Sequence, residues 1–229
     1  MRLLIIIPAY NEAGSIEKVV TELKNTVPQY DYLVINDGSK DETPEICRRN
    51  GYPLLDLPVN LGLAGAFQAG VRYAYENGYD AVIQIDGDGQ HDPQYIPQML
   101  AELESGTCDL AIGSRFVTEQ KPKTLRMLGS NVIETIIRLT TGQTLKDPTS
   151  GMRMFGPKVV RNFAQEMNYG PEPDTVCYLM RNGIRIKEVQ VEMRERTAGV
   201  SYLNLTRSII YMTHMCMSIL LIQWFRKKR

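Results

Sequence analysis

The sequence predicts an α/β domain built on a mostly parallel sheet, and three observations carry that prediction. Predominantly apolar runs recur at Leu3–Ile7, Tyr32–Ile35, Leu54–Leu57, Ala81–Ile85 and Leu110–Gly113, and unbroken rather than alternating runs mark strands buried on both faces. Between them lie segments whose apolar residues repeat at helical spacing, the pattern of crossover helices. Polar loops rich in Gly, Asn and Asp separate the two kinds of segment. At 229 residues the chain has the length of one large domain with a sizeable core.

In order, Leu3–Ile7 stops at Pro8, and Ser15 stands as an N-cap ahead of Ile16, Val19, Val20 and Leu23. Tyr32–Ile35 runs into Asn36-Asp37-Gly38-Ser39, after which Asp41 is placed to cap a helix over Glu42–Asn50 that Gly51 ends. Beyond Leu54–Leu57, the loop Asn60-Leu61-Gly62 opens a helix from about Leu63 to Glu76. Ala81–Ile85 follows, then a helix Gln94–Glu104 opened by Pro93 and closed by Gly106, then Leu110–Gly113. The second half reads less regularly, with helices predicted near Leu125–Thr141 and Thr175–Arg181.

Parallel strands joined by right-handed crossovers place every strand-to-helix loop at one edge of the sheet, where open α/β sheets bind ligands. Pro8–Glu12, Asn36–Ser39, Asn60–Gly62 and Asp86–Gln90 should therefore line one cleft. The stretch VIQIDGDGQHD puts two carboxylates, Asp86 and Asp88, and the amide of Gln90 just past a strand end. Hard divalent cations take such oxygen donors, and Mg²⁺ or Mn²⁺ is commonly shared between one or two carboxylates and substrate phosphates. An Asp-x-Asp triplet alone also suits a solvated loop, so context decides. A calcium EF-hand is excluded, because it needs Gly at His91 and Glu at Pro97. With Asp37 available to a base or ribose, the cleft suits a nucleotide diphosphate. Neither G-x-x-x-x-G-K-[ST] nor G-x-G-x-x-G is present, so the phosphates must rely mainly on the metal.

Composition removes several classes. Lys plus Arg and Asp plus Glu number 26 each, which gives no global field for nucleic acid. Cys47, Cys108, Cys177 and Cys216 lack C-x-x-C spacing and are expected as free thiols in a reducing cytosol. Two histidines, His91 and His214, leave little for histidine triads or zinc-peptidase motifs. Pro8 interrupts the first apolar run too early for a signal-peptide core, so no export is expected.

The motifs IIIPAYNE, VINDGSKDET, NLGLAGAFQAG, IDGDGQH and IGSRF stand in the order and spacing of family 2 glycosyltransferases with a GT-A fold. The chain most resembles the branch of dolichyl- and polyprenyl-phosphate sugar transferases, from Met1 to about Leu205. That resemblance implies a Rossmann-like, mostly parallel sheet flanked by helices. It implies nucleotide-sugar contacts at Pro8, Tyr10, Glu12, Asp37, Asp86 and Arg115, and a Mg²⁺ or Mn²⁺ site at Asp86, Asp88 and Gln90. Asn36 departs from the pattern, since most relatives carry Asp there, and base recognition then falls to Asp37 and its neighbours.

Residues 1–115 would form the nucleotide-sugar half and 116–205 the acceptor half. In the resembled family a D-x-x-S-G turn reaches sugar and acceptor, which makes Asp147 a candidate for acceptor positioning or proton removal; an Asx-type turn or helix cap is the alternative. Asp174 is expected to cap its helix. Arg196 opens a segment resembling R-x-x-G-x-S, whose arginine meets phosphate oxygens through its planar fork; an exposed charged loop is the alternative. The tail, 206–229, is apolar over Ser208–Phe225 and ends in Arg226, Lys227, Lys228 and Arg229. It is short for a spanning helix and suits an amphipathic anchor on a membrane surface or a membrane protein, with a core or docking helix as the other reading.

The sequence thus predicts a metal-dependent, inverting glycosyltransferase moving a hexose from a UDP- or GDP-linked sugar to a polyprenyl phosphate. It would act in the cytoplasm, peripherally at the inner face of the cell membrane. A homo-oligomer stays open. Rival readings are a transferase extending a cell-wall or capsular glycan and a non-catalytic nucleotide-sugar binder that regulates a membrane partner. A sugar-phosphate nucleotidyltransferase is disfavoured, since its glycine-rich, lysine-bearing signature is missing where Pro8–Glu12 stands.

Overall fold

The computed structural model describes residues 1–122, 124–165, 169–194 and 205–222. Strands β1 (Leu3–Ala9), β2 (Asp31–Asp37), β3 (Leu54–Leu57), β4 (Ala81–Gln84), β5 (Leu110–Ser114), β6 (Arg153–Phe155) and β7 (Ile186–Gln190) form one sheet in the order β3-β2-β1-β4-β6-β5-β7. β1 pairs in parallel with β2 and β4, β2 with β3, and β5 with β7; β6 alone is antiparallel to both of its neighbours. The chain has the GT-A type α/β architecture: a mostly parallel sheet with helices on both faces.

The apolar run of β1 explains the two layers. Leu3, Ile5 and Ile7 pack among residues of α1 (Ile16–Thr26), α2 (Thr43–Arg49) and α4 (Ile96–Glu104). Leu4 and Ile6 face the other way, toward α3 (Gly62–Glu76), α5 (Leu125–Thr141), α6 (Pro157–Gln165) and α7 (Pro173–Arg181). Side chains of a strand alternate between faces, so only a strand covered on both sides tolerates apolar residues throughout. On the second face Phe67, Phe155 and Phe163 stack with ring centroids 5.0–5.5 Å apart, locking α3 and α6 to β6.

The sequence pattern did not disclose β6, α6 or β7. β6 begins on a charged residue, Arg153, and reverses the sheet direction, while β7, Ile186–Gln190, buries only Val189 and carries Lys187, Glu188 and Gln190 in place of an apolar run. Three expected caps are made differently. The Ser15 hydroxyl does not cap α1; it donates to the Glu12 carboxylate at 2.6 Å. Asp41 accepts from the Thr43 backbone N–H at 3.0 Å while Glu42 occupies the N-cap of α2. Asp174 is buried at the first turn of α7, where it accepts from Thr175 N–H, and Glu172 holds the cap position.

A last helix, α8 (Leu205–Met217), continues into one π-helical stretch, Ser218–Ile222. Met215, Ser218 and Ile219 are buried. Gly129 of α5 lies against Met212, where an added Cβ would approach the Met212 methyl to 2.9 Å. The Tyr211 hydroxyl donates to Glu172 at 2.5 Å and the Ser218 hydroxyl to Asp174 at 2.6 Å. One face of this helix is therefore continuous with the core of the domain, and Ile210, Met217, Leu220 and Leu221 are exposed. Because Ile219 is fully buried, Ile219→Ala should lower the unfolding free energy by about 2–4 kcal/mol in urea denaturation. A helix that contributed only to an external surface would leave the midpoint unchanged.

Candidate active site

Loops from the carboxyl ends of β1, β2 and β3 are stitched together by backbone-to-side-chain hydrogen bonds. Asn11 N–H donates to Ser39 Oγ (3.0 Å), Glu12 N–H to Thr43 Oγ1 (2.9 Å) and Ala13 N–H to Asp41 Oδ2 (3.0 Å), while Lys40 N–H returns to Asn11 Oδ1 (2.8 Å). Asn11 adopts φ 57°, a left-handed conformation that Asn tolerates better than most residues. Asp37 is buried, and its Oδ1 accepts from Leu61 N–H at 2.7 Å, which fixes the loop leading into α3. Gly38, at φ +65°, is needed here: a Cβ would stand 2.6 Å from the Asn60 nitrogen. Asn36 is also buried and donates to Asp56 at 2.6 Å. An aspartate at that position would set two carboxylates against each other, a physical reason for the amide in this chain.

The Asp86–Gln90 loop closes the same edge. A Cβ on Gly87 would touch Glu12 Cγ and the Pro8 carbonyl oxygen, each at 3.3 Å, so the β4 loop lies directly on Pro8–Glu12. Asp88 is buried and accepts from Gln90 N–H at 3.1 Å in an Asx-type turn. Asp86 remains partly exposed, with its Oδ1 bonded to Gln84 Nε2 at 2.9 Å. The donor set of Asp86, Asp88 and Gln90 is all oxygen in kind and suits Mg²⁺ or Mn²⁺. No group of three or more His, Cys, Asp or Glu side chains able to hold a metal occurs among the described residues. These residues fit a cation completed by phosphate oxygens rather than by a closed protein cage.

Beside this edge, Asp147 and Arg115 form one unit. Asp147 is wholly buried and its carboxylate takes Arg115 Nε at 2.7 Å and a terminal guanidinium nitrogen at 2.8 Å, a bidentate pair. Glu188 on β7 holds the turn from behind, accepting from the N–H groups of Lys146 and Asp147 at 2.8 Å. Arg153 is fully buried and donates to the carbonyls of Pro148 and Pro171, which ties the Asp147 turn to the segment ahead of α7. Burial pushes the Arg153 pKa down, against the opposing pull of Glu172, Tyr211, Asp147 and Asp174. Burial, and then Glu172, push the Tyr211 phenol up. Gly151 meets the Asp86–Gln90 loop, since a Cβ there would lie 3.2 Å from Asp86 Oδ2.

The structure thus gathers Pro8, Glu12, Asp37, Asp86, Asp88 and Gln90 at one edge, and it joins Asp147 to Arg115 next to them. Tyr10 follows β1 on the same loop. Arg196 lies outside the described residues. Sequence reasoning passed over His91, Arg153 and Arg194. The signal for His91 was its place directly after Gln90; Arg153 carried none, because a charged residue starting a short strand resembles a loop residue.

An open parallel sheet with these loops at its carboxyl edge defines the nucleotide-handling class of α/β enzymes. The model of glycosyl transferase family 2 matches residues 4–163, and the chain belongs to that family; it is a glycosyltransferase. It is similar to the undecaprenyl-phosphate mannosyltransferase of Micrococcus luteus, with 34% identity over 213 residues, covering 88% of this chain and 87% of that protein. A polyprenol monophosphomannose synthase from Mycolicibacterium smegmatis is 29% identical, covering 87% of this chain and 80% of its own. The fold matches glucosyl-3-phosphoglycerate synthase from Mycobacterium tuberculosis, solved with Mn²⁺, uridine diphosphate and phosphoglyceric acid. The TM-score is 0.65 at 18% identity, over 96% of this chain and 78% of that one.

Hydrogen bonds to Asp41 give a pH test of the stitched edge. Burial raises the Asp41 pKa, but bonds from Thr43 and the Ala13 N–H outweigh it and hold the carboxyl below its ordinary value. A depressed folded-state pKa contributes stability that is present above the unfolded-state value and lost as pH falls through the folded-state one. Asp41→Asn should therefore be less stable than the parent at neutral pH, with the gap closing in acid. A pH-independent gap in thermal melts would remove the carboxylate from this account.

Proposed function

We propose that the chain transfers a hexose from a nucleotide diphosphate sugar to a polyprenyl phosphate, with inversion and with Mg²⁺ or Mn²⁺ shared between Asp86, Asp88, Gln90 and the donor diphosphate. The observation that carries this reading is the close approach of Gly151 to Asp86, such that an added Cβ would lie 3.2 Å from Oδ2, because it sets the Asp147 turn proposed for the acceptor beside the carboxylates proposed for the donor. Of the two relatives named above, one is by its name an undecaprenyl-phosphate mannosyltransferase and the other a polyprenol monophosphomannose synthase. The bound cation would neutralise the departing diphosphate. Pro8, Tyr10, Glu12 and Asp37 would hold the nucleotide.

A lipid phosphate attacks as an anion and needs little help from a base. With both its oxygens engaged by Arg115, Asp147 is better suited to aim that guanidinium at phosphate oxygens than to remove a proton. Arg115 and Lys121 approach the Phe116 ring to 5.1 and 5.7 Å, with Lys121 itself ion-paired to Glu134 at 2.6 Å. Arg196 is retained as a phosphate contact on the strength of its motif alone.

No helix among the described residues is long and apolar enough to cross a membrane. The outward residues Ile210, Met217, Leu220 and Leu221 of the last helix and Leu128, Val132 and Leu139 of its packing partner α5 are exposed. We assign this face to the membrane surface from which a lipid acceptor is drawn, consistent with the apolar burial that holds interfacial helices. Full-length protein should then sediment with anionic vesicles at low salt, and Leu220→Asp with Leu221→Asp should abolish that while leaving the melting temperature near the parental value. Equal sedimentation of parent and variant would remove the face from this role.

Turnover tests the donor site. Asp88→Asn should abolish activity, a loss of at least about 3 kcal/mol in transition-state stabilisation if the carboxylate holds the cation. Full activity in excess chelator, or in that variant, would sink the metal-assisted reading.

A further inference from the structure

We propose that His91 is a positioning residue for the metal loop, fixing the plane of the Asp86 carboxylate, and that Gly151 is the residue that leaves room for this contact. The proposal deepens the function above and rests on Asp86, Asp88 and Gln90 being the cation site. His91 is 4% exposed, so its ring serves the interior of the loop rather than solvent. Its Nδ1 accepts from the Asp86 backbone N–H at 3.1 Å. An accepting Nδ1 places the ring proton on Nε2. That Nε2 faces Asp86 Oδ2 at 3.7 Å, while Gln84 donates to Oδ1 from the other side.

One oxygen of Asp86 is thus hydrogen-bonded by Gln84, and the other has the His91 Nε2 beside it at longer than hydrogen-bond distance. Gly151 completes the enclosure: a Cβ at this position would stand 3.2 Å from Asp86 Oδ2, 3.2 Å from His91 Cε1 and 3.3 Å from His91 Nε2. A side chain there would require the imidazole or the carboxylate to give way by a few tenths of an ångström. The ring is also held in place through its backbone. His91 bridges Met193, Arg194 N–H donates to the Gln90 carbonyl at 3.0 Å, and the Arg194 guanidinium spans Asp92 and Glu22. Carboxylates that ligate metals bind better when outside hydrogen bonds fix their orientation, and loss of such a partner weakens metal affinity about 10–100-fold.

A rigid ring with two nitrogens is needed for both contacts. Asparagine reproduces the acceptor near Nδ1 and does not reach Oδ2; glutamine reaches Oδ2 and gives up the Nδ1 acceptor. The experiment measures Mn²⁺ binding from the free-ion paramagnetic resonance signal, with UDP and, in a parallel series, GDP, alongside metal-free melting temperatures. His91→Asn should melt near the parental temperature and bind Mn²⁺ at least about tenfold more weakly. The Mn²⁺ concentration for half-maximal activity should rise in step, with kcat at saturating Mn²⁺ near the parental value. Gly151→Ala, which removes no hydrogen-bonding group of the histidine, should shift Mn²⁺ binding in the same direction, and it decides the matter should His91→Asn fail to fold. Parental Mn²⁺ affinity in either folded variant overturns the positioning role. If the parent itself shows no nucleotide-dependent Mn²⁺ binding, the cation site underneath the proposal is what fails.

Discussion

Parallel pairing of β1 on both of its edges is the constraint from which the rest of the molecule follows. With β2 on one side and β4 on the other, the loops after all three strands must leave from the same edge. Burial of Leu3–Ile7 on alternate faces keeps that strand at the centre, each such side chain being worth about 1.5–3 kcal/mol. The loops then satisfy one another: the backbone N–H groups of Asn11, Glu12 and Ala13 donate to Ser39, Thr43 and Asp41, and Asp37 accepts from Leu61. Donor chemistry is in this sense a by-product of strand order. Small residues and short polar side chains at the edge are what allow separate loops to share so little space.

The side proposed for the acceptor obeys a different constraint, because β6 reverses direction between β4 and β5. Reversal brings the turn before β6, with Asp147 and Gly151, to the edge where the parallel strands end. Arg153 then holds the turn from inside the protein through two carbonyl oxygens. A guanidinium buried so completely is costly unless paired, and Glu172, Asp174 and Asp147 supply the compensating field. Tyr211 and Ser218 extend this network into the final helix, so the surface assigned to lipid and the turn assigned to the acceptor share one set of buried polar contacts.

Much of this was legible in the sequence wherever burial on both faces or a loop motif imposed a pattern. β1 to β5 and their helices emerged from apolar runs and their spacing, and the edge-sharing of Pro8–Glu12 with Asp86–Gln90 followed from topology. Short β6, opened by an arginine, and half-exposed β7 had no such pattern, since their places are set by tertiary pairing rather than by local preference. The same is true of individual roles. Asp147 was visible as a motif residue, but only coordinates show both of its oxygens taken by Arg115. The last helix read as apolar nearly all round; which side meets Glu172 and Asp174 depends on packing that composition does not encode.

The central claim is that donor and acceptor sides meet at Asp86 and Gly151 to move a sugar onto a lipid phosphate. The most direct measurement follows sugar label from a panel of nucleotide hexoses into the organic phase, with Mn²⁺ and with or without undecaprenyl phosphate. The account predicts one preferred donor, and lipid-linked sugar formed in equal amount to the nucleoside diphosphate released, only when the lipid phosphate is present. Transfer to a glycan hydroxyl with the lipid phosphate inert, or donor binding without any turnover, would contradict it.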